Sequence, residues 1–342
     1  MTRQIQHSLL GKAKKNKKDE FYTQLVDIER ELKFYKNYFS GKIVYCNCDD
    51  ATISNFYKYF SSHFDELGLK KLICACYREN KTEFFCSKLS TPGKYYIYSG
   101  KGKQIPDEKD LIPFNGDGDF RSSESIELLK QSDIVVTNPP FSLFREYLGQ
   151  LLKYKKKFLV IANVNAITYK EVFYQIKENN IWLGINLGRG ISGFIVPHHY
   201  ELYGTEAKID KLGNRIISTN NCLWLTNIDN FQRHKYITLT KIYKGNEEIY
   251  KKYDNYNAIN INKTEDIPAD YNGAMGVPIT FLHKFNPDQF EIIKFRKGDD
   301  DKDLSINGKC PYFRILIRKK IQNNSPSENF YDGLEKTRVS TE

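Results

Sequence analysis

The sequence predicts an α/β protein built around a doubly wound parallel sheet. Between about residues 42 and 185, short apolar runs typical of buried strands alternate with stretches that have the period of amphipathic helices. The first strand, the helix after it and the second strand together occupy only about 35 residues. This spacing indicates a parallel crossover unit, because two parallel strands need a connection about as long as a helix.

Each element of this alternation has a signal of its own. The predicted strands cover residues 42–48, 71–77, 133–136, 158–162 and 181–185. The predicted helices cover about residues 25–39, a segment capped by Ser54 and ended by Gly68, a segment that starts at Ser122 or Ser123, and about residues 142–153 and 168–179. Residues 80–115 have no firm period and are predicted to be irregular.

Beyond about residue 187 the pattern changes to short β-like runs separated by Gly, Asn and Asp turns. These runs cover residues 193–196, 215–218, 222–225, 236–239, 277–282, 290–295 and 313–317. We therefore expect a basic arm over residues 1–18, a main α/β domain over 19–187, a β-rich region over 188–320 that also supplies the last strands of the sheet, and a polar, disordered tail over 321–342.

The composition favours a folded protein with a polyanionic partner. The 342 residues carry a net charge of +10, and the first 18 hold several Lys or Arg and no acidic residue. Such an arm is either a solvated tail or a segment that contacts phosphates. Seven cysteines, an odd number, favour a reducing compartment. With no apolar run long enough to cross a bilayer and no secretory signal, we expect a cytoplasmic protein.

The strand over 133–136 runs into Asn138-Pro139-Pro140-Phe141, where the two prolines must end it. The Asn138 side-chain oxygen and the Pro139 carbonyl are two acceptors on a rigid backbone, and Phe141 offers a stacking face. This arrangement suits a flat heterocycle that carries an amino group. The alternative is a Pro-Pro loop that only closes the strand, with Phe141 in the core.

Other polar segments follow the ends of neighbouring predicted strands. In a doubly wound sheet, ligands bind outside the carboxyl ends of the strands. Residues 45–50, 76–77, 117–120 and 138–141 all fall at such ends. The sequence therefore predicts an acidic pocket suited to an adenosyl ligand. The alternative is that its acids are ordinary turn and cap residues; these acids are Asp49, Asp50, Asp117 and Asp119.

Other chemistries have weaker signals. Cys46 and Cys48 share one strand face, as do Cys74 and Cys76, but neither pair has the Cys-x-x-Cys spacing of a zinc knuckle. We therefore expect no metal site. The sequence contains no Walker loop and no Gly-x-Gly-x-x-Gly fingerprint, which argues against nucleotide hydrolysis and nicotinamide chemistry.

Several motifs in a fixed order resemble the EcoRI-type adenine-specific DNA methyltransferases. They are residues 19–24, 44–50, 116–120 and 137–144, followed by 275–282 and 286–290. The likeness covers roughly residues 10–320. It implies a Rossmann-like, S-adenosylmethionine-dependent methyltransferase sheet, with residues 19–187 as the catalytic domain and the β-rich region as the target-recognition part.

The resemblance implies methyl transfer from S-adenosylmethionine to N6 of adenine in a short site of double-stranded DNA. Asn138, Pro139 and Pro140 would form the corner that holds the amino group, and Phe141 would stack on the base. The base must be flipped, because N6 is paired within the duplex. The resemblance also implies a restriction-modification system, in which a restriction endonuclease is a functional rather than a physical partner of a monomeric enzyme.

The cofactor site follows from the same resemblance. Tyr22 and Thr23 match the element that walls the cofactor pocket, Asp49 or Asp50 the acid after the first strand, and Asp119 the acid near the cofactor's adenine. Cys46 and Asp117 complete the predicted set. Two features depart from the usual methyltransferase pattern: the first-strand loop is Cys-Asn-Cys-Asp-Asp-Ala rather than glycine-rich, and the second strand ends without an acid.

DNA contacts are predicted from the basic arm and the C-terminal region, where Lys contacts phosphate and Arg can read base edges. The predicted contacts are Lys14, Lys15, Lys17, Lys18 and Arg189, with Arg215, Arg233 and Arg314 as further candidates. Three alternatives remain open: N4 methylation of cytosine, methylation of a protein glutamine, and a catalytically silent DNA-binding module.

Overall fold

The computed structural model describes residues 22–77, 92–186, 191–198, 202, 207–217, 221–296, 304–309 and 313–320. The predicted basic arm, Arg189 and the predicted polar tail lie outside these residues. The described chain forms two compact units. The first contains the residues up to Lys235 and Thr280–Phe285, and the second contains Tyr236–Ile279 and the residues from Asn286 onward. The predicted boundary after residue 187 falls within the first unit.

A mixed sheet of eight strands forms the centre of the first unit. Across the sheet, the strands are β5 (Ile112–Pro113), β4 (Lys94–Tyr98), β3 (Lys71–Cys76), β2 (Ile43–Cys46), β6 (Ile134–Thr137), β7 (Lys157–Asn163), β12 (Cys222–Thr226) and β8 (Trp182–Leu183). The numbers follow the chain.

The centre of this sheet is parallel and its margins are antiparallel. β3, β2, β6 and β7 are parallel neighbours, whereas β4 pairs antiparallel to β3, and β12 antiparallel to β7. The predicted α/β alternation is thus confirmed, but the sheet is mixed rather than wholly parallel. The prediction of irregular chain over residues 80–115 was wrong for β4, whose Lys-Tyr-Tyr-Ile-Tyr run consists mostly of good strand formers.

One helix precedes the first strand of the large sheet, and four lie between its strands along the chain. They are α1 (Leu25–Leu32), α2 (Asn55–Ser62), α3 (Ser123–Gln131), α4 (Phe144–Lys153) and α5 (Lys170–Lys177). Ser54 caps α2 and Ser122 caps α3, each by accepting a backbone N–H with its hydroxyl, as predicted. Two helices are shorter than predicted: α1 gives way to a 3-10 turn at Lys36–Tyr38, and α2 ends before Gly68.

A second, smaller sheet belongs to the same unit. It contains β1 (Tyr22–Thr23), β9 (Phe194–Val196), β11 (Arg215–Ile217) and β10 (Lys208–Ile209), in that order, and every pairing is antiparallel. The strands β9 and β11, from the predicted runs at 193–196 and 215–218, therefore belong to a sheet separate from the large one. The run at 222–225 joins the large sheet as β12, as expected for one of its last strands.

The second unit is built on a four-stranded sheet. Its order is β13 (Ala258–Asn260), β14 (Ala274–Pro278), β16 (Arg314–Lys319) and β15 (Phe290–Arg296). The expectation of strand over 236–239 was wrong, and residues 279–283 form a 3-10 turn instead of continuing β14. In the part of the chain that the structure describes, no helix is both long and apolar enough to cross a membrane.

Candidate active site

Asp49 joins the carboxyl ends of two central strands. It follows β2, and its Oδ2 accepts a 2.5 Å hydrogen bond from the hydroxyl of Thr137, the last residue of β6. Its Oδ1 accepts a 2.7 Å hydrogen bond from Ser54, whose hydroxyl also caps α2. The carboxylate is therefore fixed in orientation beside the strand that leads into Asn138.

The environment of Asp49 changes its acidity. Burial raises the pKa of Asp49 to about 6, against the opposing effect of the hydrogen bonds from Thr137 and Ser54. The group is therefore ionised at neutral pH and takes up a proton in mildly acidic solution.

The chain around Asp49 is held just as firmly. The Asp49 backbone N–H donates to the carbonyl of Ala75 in β3 at 2.9 Å. Asp50 Oδ1 accepts hydrogen bonds from the backbone N–H and the hydroxyl of Thr52, at 2.9 and 2.7 Å. Cys46, a predicted cofactor contact, is fully buried in the hydrophobic core, so its thiol serves packing.

A glycine brings the acidic loop over residues 117–119 against the end of β3. Gly118 has φ +78°, and a Cβ at this position would lie 2.6 Å from the Cys76 carbonyl oxygen. Only glycine allows this approach without strain. Asp117 Oδ1 accepts the Asp119 N–H at 3.0 Å and fixes the turn. The loop predicted from the sequence therefore lies, like Asp49, at the carboxyl ends of the central strands.

Asp119 is paired with a cation. Both its oxygens accept from the Arg121 guanidinium, at 2.9 and 2.7 Å, and Arg121 also reaches Glu146 at 2.8 Å. The hydrogen bonds from Arg121 hold the pKa of Asp119 below its ordinary value. This carboxylate therefore stays ionised across the physiological range.

The corner predicted to hold a base lies directly after β6. Asn138 follows β6 directly, Pro139 is buried, and Pro140 precedes a 3-10 turn at Phe141–Leu143. Phe141 is half-buried and packs against the core, where its ring meets Phe194 edge-on with 6.4 Å between centroids. Phe141 is therefore supported from the core side, although it is not itself a fully buried core residue.

The small sheet contacts helix α2. Thr23 in β1 pairs with Phe194 in β9, and the Asn55 side-chain amide donates to the Thr23 carbonyl at 2.8 Å. Asn55 is the first residue of α2, directly after Ser54. Tyr22 and Thr23, predicted to wall the cofactor pocket, thus lie beside α2, whose cap Ser54 binds Asp49, and β9, whose Phe194 packs against Phe141.

Two buried acids of α1 were not predicted from the sequence. Asp27 accepts from the backbone N–H and hydroxyl of Ser192, at 2.8 and 2.9 Å. Glu31 accepts from the backbone N–H groups of Ile185 and Asn186, at 2.7 and 2.8 Å. Both acids are fully buried. Only their spacing on one helix face could have suggested a common role.

Potential metal ligands are scattered rather than clustered. The described ranges contain no group of three or more His, Cys, Asp or Glu side chains arranged to hold a metal ion. Cys46 and Cys74 are register partners in β2 and β3, and burial raises the pKa of both thiols. They are core residues.

The candidate arginines differ in their surroundings. Arg233 lies 3.5 Å from the centre of the Trp182 ring and pairs with Asp229 at 3.0 Å, so its guanidinium is committed to contacts within the first unit. Arg314 donates to Asn260 at 3.0 Å within the second unit. Arg215 lies in β11 and is half-buried.

Comparison with known proteins shows the family of this chain. The family model described as "Adenine-specific methyltransferase EcoRI" matches residues 9–320. The chain belongs to this family. The protein is therefore an adenine-specific methyltransferase, as the resemblance implied. The family match argues against the three alternatives, which were a cytosine methyltransferase, a glutamine methyltransferase and a catalytically silent DNA-binding module.

Three curated relatives agree with the family match. The chain is 70% identical to "Type II methyltransferase M.EcoRI" of Escherichia coli, over 94% of this chain and 99% of the relative. It is 40% identical to "Type II methyltransferase M.MpnI" of Mycoplasma pneumoniae and 36% identical to "Type II methyltransferase M.MgeORF184P" of Mycoplasma genitalium, each over 91% of this chain and 98% of the relative. No solved structure matched the chain.

Proposed function

We propose that this methyltransferase transfers a methyl group from S-adenosylmethionine to N6 of an adenine flipped out of a short duplex DNA site, as the modification enzyme of a restriction-modification system. The observation that carries the proposal is the hydrogen bond from Thr137 to Asp49. It joins β6, the strand that leads into Asn138, to the acids at the carboxyl ends of the central strands. A base bound at Asn138 and a cofactor bound at these acids would therefore be neighbours.

The acids at this edge fit the cofactor. S-Adenosylmethionine carries ribose hydroxyls, an adenine amino group and an α-ammonium group, all of which donate hydrogen bonds. The carboxyl ends of the central strands, where ligands of such sheets bind, carry four acids as acceptors: Asp49, Asp50, Asp117 and Asp119. Tyr22 and Thr23 would wall the pocket from the side of the small sheet.

The chemistry assigned to this chain is orientation and polarisation of the amino group. When bound, S-adenosylmethionine supplies an electrophilic methyl group on a sulfonium. The Asn138 side-chain oxygen and the Pro139 carbonyl would accept the two amino protons, which turns the N6 lone pair out of conjugation with the ring. Pro140 keeps the corner rigid, and Phe141, supported by Phe194, would stack on the purine.

DNA recognition would be divided along the chain. Phosphate contacts would come from the basic arm, through Lys14, Lys15, Lys17 and Lys18. Arg189 would read a base edge. The second unit would supply the target-recognition region. Within this region, Arg318 pairs with the exposed Glu291 at 3.1 Å. An exposed ion pair is weak, so Arg318 would lose little free energy if it released Glu291 and bound a DNA phosphate.

Sequencing of modified bases in DNA from cells that express the protein tests this proposal. We expect N6-methyladenine at one short site and at no other adenines. Methylation of cytosine, or no modified base in cells that contain the folded protein, would contradict it. The same experiment identifies the recognised site.

A further inference from the structure

Leu212 is the most exposed large apolar side chain in the described part of the protein. It is 86% exposed, at the turn that joins β10 to β11. Ile209, beside the turn in β10, is 58% exposed. A single exposed Leu is ordinary on a protein surface. Ile209 and Leu212 are two exposed apolar side chains on one hairpin, here called the tip, and the residues around them indicate what they bind.

The tip is held in one conformation. Asp210 Oδ1 accepts the backbone N–H groups of Leu212 and Asn214, at 2.9 and 2.8 Å, and Asp210 Oδ2 accepts the Asn214 side-chain amide at 2.9 Å. Gly213 supplies the left-handed residue of the turn, with φ +82°. The backbone of this turn therefore loses little further freedom on binding.

The tip is also cationic. Lys208 and Lys211 are exposed on either side of Asp210, whose carboxylate is occupied by the turn. Arg215 lies across the hairpin, opposite Ile209. An apolar point flanked by cations matches a nucleic acid duplex, with phosphates outside and stacked bases inside.

The hairpin is continuous with the wall of the active site. Its strand β11 pairs with β9, so that Ile217 lies opposite Phe194, whose ring supports Phe141. The chain from Ile217 to Leu212 can span about 17 Å at most when extended. A duplex with its flipped base on Phe141 would therefore pass within reach of the tip.

We propose that the β10–β11 hairpin is a DNA wedge, in which Leu212 enters between base pairs near the target adenine while Lys208 and Lys211 contact the flanking phosphates. The inference rests on the proposed function and adds a residue that helps the base to leave the stack. Unstacking by the wedge lowers the free energy still needed to flip the base.

The test compares the wild-type protein with Leu212→Ala, Leu212→Met and the control Ile112→Ala. Ile112 is an exposed aliphatic residue in β5, at the margin of the large sheet. The probes are duplexes that carry the site found by modified-base sequencing, with the target adenine opposite thymine or opposite an abasic position. Single-turnover methyl transfer is measured on both, and 2-aminopurine at the target position reports flipping.

On the paired duplex we expect Leu212→Ala to slow methyl transfer and flipping by about tenfold, and Leu212→Met and Ile112→Ala to match the wild type. On the abasic duplex, where no pair has to open, Leu212→Ala should recover to within about threefold of the wild type. Thermal melting checks that all variants are folded, as expected for exposed positions.

Equal rates for Leu212→Ala and the wild type on the paired duplex would overturn the wedge and leave the proposed function intact. An equal reduction on both duplexes would also overturn it, because the defect would then not concern base opening. Failure of the wild type to methylate either duplex would instead refute the proposed function, and the wedge with it.

Discussion

The hydroxyl of Thr137 donates a 2.5 Å hydrogen bond to Oδ2 of Asp49, across the boundary between β6 and β2. Thr137 is the last residue before the Asn138 corner, and Asp49 is the first acid after β2. One hydrogen bond thus connects the part of the site assigned to the base with the part assigned to the cofactor. A substitution of either residue should therefore affect both parts of the site.

The acidity of Asp49 leads to a prediction on cofactor binding. Because burial raises the pKa of Asp49 to about 6, its charge disappears below that pH. We expect the affinity for S-adenosylmethionine to fall by up to about tenfold per pH unit below pH 6. Asp49→Asn should bind more weakly at neutral pH and show no such dependence. Isothermal titration calorimetry between about pH 5 and pH 8 measures both.

The same shift predicts the pH dependence of stability. The pKa of Asp49 rises on folding, from 3.8 to about 6, so the folded state holds the proton more tightly than the unfolded state. The contribution of Asp49 is most favourable below about pH 4 and disappears as the pH rises through about 6. Urea unfolding should show this change in the wild type and not in Asp49→Asn. Identical pH profiles for the two proteins would contradict the shift.

Gly118→Ala should weaken the cofactor site. The new Cβ would lie 2.6 Å from the Cys76 carbonyl oxygen, at a φ of +78° that disfavours alanine. The acidic loop must then move away from β3, and we expect at least about tenfold weaker binding of S-adenosylmethionine. Gly116→Ala is the matched control, since a Cβ there meets nothing within 4 Å. Equal affinities of the two variants would count against this placement of the loop.

Phe194→Leu should slow methyl transfer and lower the free energy of unfolding modestly, because Phe194 is fully buried. Leucine keeps most of the buried volume but removes the edge-on packing against Phe141, an interaction of a type worth about 0.5–1.5 kcal/mol. We expect the single-turnover rate to fall by up to about tenfold. Phe60→Leu removes a similar ring pair, with Phe39, inside the core. If Phe60→Leu slowed the reaction as much, the effect would be general loosening of the core.

Removal of residues 1–18 should weaken DNA binding and flatten its salt dependence. For every phosphate that the arm no longer neutralises, the slope of log K against log salt becomes shallower by about one unit. Fluorescence anisotropy at several salt concentrations measures the slope. A slope equal to that of the full chain would mean that the basic arm does not touch phosphates.

The elements predicted from the sequence are those whose signals are local. β2, β3, β6 and β7 are continuous apolar runs, and Ser54 and Ser122 are cap residues in front of helices. The same holds for the Asn138–Phe141 corner, because its prolines mark the end of β6 whatever the rest of the chain does.

Other features depend on pairs of residues that are distant in the sequence, and these were not predicted. β4 pairs antiparallel with β3, and β12 pairs antiparallel with β7. These pairings depend on the order of strands in the sheet, which the apolar pattern does not encode. The support of Phe141 by Phe194 joins the turn after β6 to a strand of the small sheet, 53 positions later in the chain. The hydrogen bond from Ser192 to Asp27 spans 165 positions of the sequence. An acid on an amphipathic helix is ordinarily expected at the surface, so its burial could not be foreseen.

Asn138→Ala, measured for single-turnover methyl transfer and for DNA affinity in the same preparation, tests most directly whether this corner holds the reacting amino group. Asn163→Ala is the matched control, because Asn163 ends β7, the strand next to β6, and its side chain caps a turn. We expect Asn138→Ala to abolish methyl transfer while DNA affinity stays within about tenfold, because the proposed role of Asn138 is to bind the reacting nitrogen. Methyl transfer at the wild-type rate in Asn138→Ala would contradict this role.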